Sequence, residues 1–252
     1  MPKQKKQNAD KPLSLQQAVK LEENFAYFDL SLSEAEKAAL EKIRVGRAED
    51  FNVFGDAAQL ESQARKFFES LGNAPDVSAK AAQAVNRLAK EALSAFKAEA
   101  GWITVRATVP TDFYDMPRWH HDGYFYHPME GDQYKAAMPL KGPSTLFSRF
   151  PEKLRSIFDE LARPVGDKGP DREKLAELVA ETPVESIPEG QGAVFVAGSN
   201  RGAIHSEPPM HTERLFMSVV PGTKEQIADM EGRFTKYENQ KKSPVKIISP
   251  KS

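Results

Sequence analysis

Residues 192–222, GAVFVAGSNRGAIHSEPPMHTERLFMSVVPG, hold three short apolar runs separated by segments rich in glycine, proline and charge. Turn residues bound each run, which is typical of strands. We therefore expect strands at 192–198, 202–206 and 214–220. Similar runs occur earlier in the chain, at 102–109, 119–126, 133–140, 144–147 and 183–187. Many short strands joined by Gly- and Pro-containing turns indicate a sandwich or a barrel.

The chain before residue 102 has a different pattern, which predicts a helical region over 13–101. Ser33, followed three residues later by Glu36, is a capping-box pattern that starts a helix ending at Gly46. The periodicity predicts further helices at 56–72, 76–101, 151–162 and 171–180. The last two form an insert over 151–180. The expected class is α+β, with a β core, a helical N-terminal layer and a helical insert.

Composition narrows the kinds of site that the protein can have. The 252 residues include no cysteine, which excludes disulfides, thiol nucleophiles and cysteine-ligated metals. No apolar run approaches the roughly 20 residues that span a bilayer, and no signal-peptide core follows the N-terminus. We therefore expect a cytoplasmic protein with no membrane partner. The lysine-rich ends, 1–12 and 236–252, are predicted to be disordered tails. The body between them is acidic, which argues against nucleic acid as its partner.

The segment RWHHDGYFYH at 118–127 holds three of the five histidines. On a strand, side chains at i and i+2 share a face, so His120 and Asp122 point the same way and His121 points to the other face. With a second imidazole from elsewhere, they form a facial triad that leaves three positions open on ferrous iron. A hydrogen-bonded surface pair is the alternative interpretation, because a His-x-Asp pair alone is a weak signal.

Two downstream histidines compete to complete the triad. We predict His205, because it ends an apolar strand, whereas the prolines after Glu207 place His211 in or beyond a turn. His127 and His211 are expected at the surface or behind the ligands. Arg214 then lies across the sheet from His205, and a buried arginine beside a metal requires a charged partner. A carboxylate is the obvious partner for its planar donor fork.

These residues resemble the iron(II)- and 2-oxoglutarate-dependent oxygenases of the double-stranded β-helix (jelly-roll) superfamily. His120-x-Asp122 is similar to the metal motif of that family, and His205, after the strand GAVFVAG, is similar to its distal histidine. Arg214, nine residues after His205, is similar to the basic residue that holds the far carboxylate of 2-oxoglutarate.

The resemblance covers about residues 102–222. Within it, LKGPSTLF at 140–147 is similar to an edge of the family's cosubstrate pocket, which places Thr145 near that pocket. The resemblance implies a double-stranded β-helix core over 102–235, with the N-terminal helices as supporting structure.

The resemblance also implies an activity. Fe(II), 2-oxoglutarate and O2 would be used to hydroxylate or oxidatively demethylate a small-molecule or protein substrate, with succinate and CO2 as coproducts. A protein side chain, an amino acid, a natural product and a methylated nucleobase all remain open as targets, as does the oligomeric state. The alternatives are a non-catalytic jelly-roll module that binds a metal or a small molecule, and an interaction protein whose helices bind a partner. The complete set of four site residues favours the enzyme.

Other residues are candidates for contacts around this site. Arg106 is predicted either to reach a carboxylate of the cosubstrate or substrate, or to form a surface ion pair. Tyr134 is predicted to donate a hydrogen bond to bound 2-oxoglutarate. Asn200 and Arg201, in the loop before the distal histidine, are candidates for substrate contact. About half of the aromatic residues around the metal motif are expected in the core, the set being Trp119, Tyr124, Phe125 and Tyr126.

Overall fold

The structure is a computed structural model that describes residues 12–127, 131–164, 169–198 and 201–242. The helices in these ranges are α1 Leu15–Ala18, α2 Glu34–Lys42, α3 Leu60–Ser70, α4 Pro75–Phe96, α5 Arg155–Ala162, α6 Arg172–Ala180 and α7 Lys224–Lys242. The strands are β1 Phe25–Asp29, β2 Glu49–Gly55, β3 Ala100–Thr108, β4 Gln133–Lys141, β5 Leu146–Ser148, β6 Val184–Ser186, β7 Gln191–Ala197, β8 His205–Ser206 and β9 Arg214–Gly222. Across the described ranges, none of the helices combines the length and apolar character needed to cross a membrane.

The strands form two antiparallel sheets. The larger has the order β1-β7-β4-β9-β3-β2 and the smaller the order β6-β5-β8. His120 extends the smaller sheet, because its N–H and C=O exchange hydrogen bonds of 3.0 and 2.9 Å with the backbone of His205. From β3 onward the chain crosses repeatedly between the sheets, which is the connectivity of a double-stranded β-helix. The predicted α+β class with a jelly-roll core is therefore confirmed, and the sheets pack as a sandwich rather than a barrel.

Both faces of the larger sheet are buried, each against a different layer. On one face Ala136 belongs to the same apolar cluster as Leu88 of α4. On the other face Ala137 packs with Phe195 of β7 and Phe147 of β5, which belongs to the smaller sheet. Successive residues of β4 therefore face different layers. The predicted metal ligands lie on the inter-sheet side.

Local sequence explains where two of the helices begin and end. The N–H of Glu36 donates to Ser33 Oγ at 3.3 Å, and the N–H of Ser33 donates to Glu36 Oε2 at 2.8 Å, so the predicted capping box of α2 is confirmed. Helix α4 has Pro75 in its first turn, where its missing N–H costs no hydrogen bond. It ends at Phe96, because the following residue, Lys97, has a φ of 53° that turns the chain out of the helix.

The N-terminal region is not purely helical, contrary to the prediction. Strands β1 and β2 lie within it and form the two edges of the larger sheet, where they pair with β7 and β3. The partners of both edge strands lie far along the chain. The strand predicted at 119–126 is reduced to the bridge at His120, and that at 202–206 to the two residues of β8.

Helix α7 was not predicted from the sequence. It extends to Lys242, so the predicted disorder is wrong for residues 236–242. Ile227 and Met230 are buried against the core, and the Phe234 ring lies 5.7 Å from that of Trp102. Residues 1–11 and 243–252 lie outside the described ranges, and their disorder stays a prediction.

Candidate metal centre

Three side chains, His120, Asp122 and His205, converge between the two sheets. Their potential ligand atoms all lie within 4.8 Å of one another. Oδ1 of Asp122 is 3.8 Å from Nε2 of each histidine. The sheet explains this convergence, because the two histidines face each other across an antiparallel bridge and Asp122 follows His120 by two residues. One ion can reach all three atoms with bonds of roughly 2 Å.

Both imidazoles present Nε2 to the centre because their Nδ1 atoms are engaged. Nδ1 of His120 lies 2.7 Å from the carbonyl oxygen of Arg118, and Nδ1 of His205 lies 3.0 Å from that of Ala203. A carbonyl oxygen only accepts, so each Nδ1 carries the proton and each Nε2 keeps a lone pair. Metal-binding histidines are oriented in this way. Burial, followed by the nearby His120, lowers the pKa of His205 to about 4, which keeps its ring neutral near pH 7.

Asp122 is held as a carboxylate by a lysine that was not predicted from the sequence. Burial by itself raises the pKa of Asp122, but Lys135 and then the two histidines bring it well below its usual range. Nζ of Lys135 donates to Asp122 Oδ2 at 3.0 Å. Two imidazole nitrogens and one carboxylate oxygen form a donor set that suits ferrous iron.

The two sides of the centre differ in exposure. The ring of His205 packs against Phe195 and Phe147, at centroid distances of 4.7 and 5.6 Å, and its side chain is 8% exposed. The side chain of His120 is 40% exposed. The centre therefore has an apolar, closed side at His205 and an open side at His120.

Arg214 lies on the same inter-sheet side and is 2% exposed. It alternates on β9 with Leu215, which faces the helices, and shares its face with Phe216. Its Nε donates to the Pro143 carbonyl oxygen and its Nη2 to Thr145 Oγ1, both at 2.9 Å. Burial lowers the pKa of the guanidinium to about 10, so it stays charged near pH 7. No carboxylate of the described residues is within ion-pair distance of it.

The turn that brings Thr145 to Arg214 depends on a glycine. Gly142 has a φ of +79°, and a Cβ at this position would lie 2.1 Å from the carbonyl oxygen of Glu213. The backbone of the turn therefore packs directly on the start of β9. This close approach places Thr145 within hydrogen-bond distance of Arg214, and the predicted position of Thr145 at the cosubstrate pocket stays a prediction.

A carboxylate that was not predicted from the sequence, that of Glu207, lies near both the triad and Arg214. Glu207 follows His205 by two residues. Burial raises the pKa of Glu207, but the charges of His120, Arg118 and His205 leave it below its usual value. The charge of Glu207 also acts on Arg214. Its Oε2 is buried and has no hydrogen-bond partner within the described part of the chain. The i+2 spacing from His205 is the signal that points to it.

Two residues predicted to bind the cosubstrate are engaged elsewhere. The ring of Tyr134 packs on the helical side, 5.9 Å from that of Phe96, so the prediction for Tyr134 is wrong. Because β4 alternates, Lys135 is the residue that points between the sheets. Arg106 donates three hydrogen bonds of 2.9 to 3.1 Å to Asp50. Of the two alternatives for Arg106, the structure has the surface ion pair.

The other histidines lie away from the centre. His127 is exposed. The side chain of His211 is 72% exposed, and its Nε2 lies 3.8 Å from a carboxylate oxygen of Asp115. His121 points away from the ligands, as predicted, and its Nε2 lies 3.2 Å from Asp159 of α5. This contact joins the helical insert to the metal motif.

The remaining predicted residues divide between core and surface. Arg201 is half-exposed and donates to Asp132 at 2.6 Å. Asn200 lies outside the described residues, and its role stays a prediction. The Tyr124 ring packs closely over Gly198. The other aromatic residues of the motif pack in apolar clusters, these being Trp119, Phe125 and Tyr126.

Comparisons with known proteins gave matches only among solved structures. No protein-family model matches the chain, and no curated protein matches its sequence. A dioxygenase for auxin oxidation from rice aligns at 12% identity over 79% of this chain and 73% of its own, with a TM-score of 0.43. A prolyl-4-hydroxylase from Pseudomonas putida aligns at 13% identity over 83% and 98%, with a TM-score of 0.41. A non-heme alpha ketoglutarate dependent carbocyclase from nogalamycin biosynthesis aligns at 14% identity over 83% and 86%, with a TM-score of 0.43. The strand order and the ligand geometry, rather than these alignments, identify the jelly-roll fold and the candidate metal centre.

Proposed function

We propose that the protein is an iron(II)- and 2-oxoglutarate-dependent oxygenase. The observation that carries this proposal is a His-Asp-His triad on the same inter-sheet side as a buried, charged arginine. A triad of this type leaves three positions free on an octahedral ferrous ion. A buried arginine with no carboxylate partner in the described part of the chain suits the far end of a dicarboxylate whose other end binds the ion.

Each group has a defined role under this proposal. His120, Asp122 and His205 hold the iron. Arg214 holds the far carboxylate of 2-oxoglutarate, and Thr145 fixes the orientation of the guanidinium through its hydrogen bond. Iron and 2-oxoglutarate, when bound, supply the oxidation of a C–H bond by O2, with release of succinate and CO2.

The protein orients the reactants and keeps water away. The rings of Phe147 and Phe195 close the His205 side with an apolar wall, which limits side reactions with solvent. The substrate approaches from the open side, past the half-exposed His120.

The substrate that we propose is a small molecule or a protein, and the reaction is its hydroxylation or oxidative demethylation. The acidic body is a poor surface for a nucleic acid backbone. A cytoplasmic location is consistent with a chain that has no cysteine. The N-terminal helices support the larger sheet, to which they contribute the apolar layer around Leu88.

The test is slow turnover of 2-oxoglutarate without substrate. We expect the purified protein with iron(II), ascorbate and 2-oxoglutarate to release succinate, and His120→Ala or Asp122→Ala to abolish that release. His127→Ala, which changes an exposed histidine of the same segment, is the matched control and is expected to keep it. In parallel, anaerobic addition of iron(II) and 2-oxoglutarate is expected to produce a weak visible charge-transfer band.

One outcome would favour the alternative function. A wild-type protein that binds iron(II) and 2-oxoglutarate but releases no succinate, alone or with a broad panel of substrates, is a non-catalytic binding module.

A further inference from the structure

The two oxygens of the Asp122 carboxylate have different surroundings. Oδ1 faces the imidazoles, at 3.8 Å from Nε2 of both His120 and His205. Oδ2 accepts a hydrogen bond from Nζ of Lys135 at 3.0 Å. The carboxylate side chain is 15% exposed and the lysine side chain 21% exposed, so solvent screens this ion pair poorly.

The position of Lys135 is fixed by the sheet and by two aromatic rings. It lies on β4 directly opposite Phe195 of β7. Its Nζ is 5.8 Å from the ring centroid of Phe195 and 6.0 Å from that of Phe125. Among the residues that the structure describes, Asp122 is the only carboxylate within ion-pair distance of Lys135. If Asp122 turned away, the ammonium would be left in an apolar setting without a partner, which is costly.

This arrangement controls how many oxygens Asp122 can give to a metal. Three single bonds from the triad leave three positions of an octahedral ion free, whereas a carboxylate that binds through both oxygens leaves two. A cosubstrate that binds through two atoms and an oxygen molecule together need three. We propose that Lys135 is a positioning residue that occupies Oδ2 and restricts Asp122 to one metal bond. The purpose of this role depends on the proposed function, whereas the experiment that tests it does not.

The sign of the expected metal affinity distinguishes this role from simple structural support. The lysine ammonium repels a divalent cation and withdraws charge from the carboxylate. Removing it is therefore expected to leave metal affinity unchanged or to raise it, while the number of open positions falls. A residue that only supported the fold would, when removed, lower both the affinity and the melting temperature.

The test counts the water molecules on a bound metal, without cosubstrate, oxygen or turnover. Manganese(II) is loaded into the wild type and into Lys135→Met, and the relaxation rate of water protons is measured. We expect Lys135→Met to lose about one third of the inner-sphere relaxation enhancement, because three exchangeable waters become two. Lys135→Arg is expected to restore it, since a guanidinium can also hold Oδ2. Lys141→Met is the matched control, because Lys141 is on the same strand and its ammonium lies 3.3 Å from the Glu213 carboxylate.

Two results would overturn the proposal. One is a folded Lys135→Met protein with the wild-type relaxation enhancement. The other is a loss of manganese binding that Lys135→Arg does not restore. If Lys135→Met does not fold, Lys135→Gln gives the same comparison with a polar side chain that carries no charge. Failure of the proposed function is separate, because it appears as absent succinate release in the wild type.

Discussion

The two ends of the inter-sheet site are built differently. At the metal end, the atoms that do not face the centre already have partners, since Nδ1 of His120 and of His205 meets a backbone carbonyl and Oδ2 of Asp122 meets a lysine. At the arginine end, Arg214 donates hydrogen bonds within the described residues only to a carbonyl and a hydroxyl, and a buried oxygen of the neighbouring Glu207 has no partner among the same residues. Contacts within the protein therefore already fix the side chains that would bind the metal. At the arginine end, no carboxylate of the described residues pairs with the charge of Arg214.

This difference indicates that metal binding and cosubstrate binding can be separated by mutation. The backbone fixes the metal end, because the imidazoles are aimed by carbonyls two residues earlier in the chain. The arginine end depends on charge, which a bound carboxylate would neutralise. Changes at one end are therefore expected to leave the other end functional.

The largest effect is expected at the metal end. His205→Ala should abolish iron(II) binding and turnover, because it removes the most buried ligand of the three. His211→Ala is the matched control, and it should keep metal binding, because its side chain is 72% exposed and lies outside the triad. Anaerobic iron(II) titration of both variants measures the difference. Loss of binding in His211→Ala with retention in His205→Ala would overturn the triad.

The arginine end is expected to give a smaller and different loss. Arg214→Met should weaken 2-oxoglutarate binding by about 2–5 kcal/mol, or roughly 30- to several-thousand-fold, because it removes a charge-assisted contact to a buried carboxylate. Iron(II) affinity should stay at the wild-type value. Calorimetric titration of the zinc-loaded protein with 2-oxoglutarate measures the cosubstrate affinity, and anaerobic iron(II) titration measures the metal affinity. Arg106→Met is the control, since that arginine is already paired with Asp50. Equal 2-oxoglutarate affinity in Arg214→Met and the wild type would remove the cosubstrate assignment.

The contrast between the two ends also explains what the sequence could predict. The predicted metal ligands are recognisable because a His-x-Asp spacing in a strand-like aromatic run and a histidine at the end of an apolar run are local patterns. The role of Lys135 could not be recognised from the sequence. Strand β4 is buried on both faces, so its residues show no apolar alternation that would distinguish the inter-sheet face from the face toward the helices. For this reason we selected Tyr134, which faces the helices, whereas its neighbour Lys135 points between the sheets.

Other misses have related physical causes. Strands β1 (FAYFD) and β2 (EDFNVFG) did carry a strand signal in their aromatic residues. Their partners lie far along the chain, so no neighbouring hairpin pattern marked them within the helical region. Helix α7 did carry a signal, because Ile227, Met230 and Phe234 recur at helical spacing. Glu207 could also have been found from the sequence, because it follows His205 by two residues, as Asp122 follows His120.

The smallest expected change in 2-oxoglutarate affinity comes from replacing Glu207. Because the affinity is expected to rise rather than fall, this variant distinguishes the arginine end from the metal end. The charge of Glu207 acts on Arg214, the group that we propose binds the far carboxylate of 2-oxoglutarate. Removing a like charge from the surroundings of an incoming dianion should strengthen binding by about 1 kcal/mol, or roughly fivefold. We therefore expect Glu207→Gln, which keeps the shape of the side chain, to bind 2-oxoglutarate more tightly than the wild type.

Calorimetry on the zinc-loaded protein measures this change, and Glu213→Gln is the matched control. Glu213 is adjacent to Arg214 in the chain, but its carboxylate is 36% exposed and paired with Lys141, so its loss should change 2-oxoglutarate affinity little. Metal affinity should stay constant in Glu213→Gln and fall slightly in Glu207→Gln, because the Glu207 charge also acts on the two histidines of the triad. Weaker cosubstrate binding in Glu207→Gln would contradict the charge argument. It would mean that the ionised carboxylate is needed in the complex, holding a neighbouring cation such as Arg118 in place, and that the arginine end is as preorganised as the metal end.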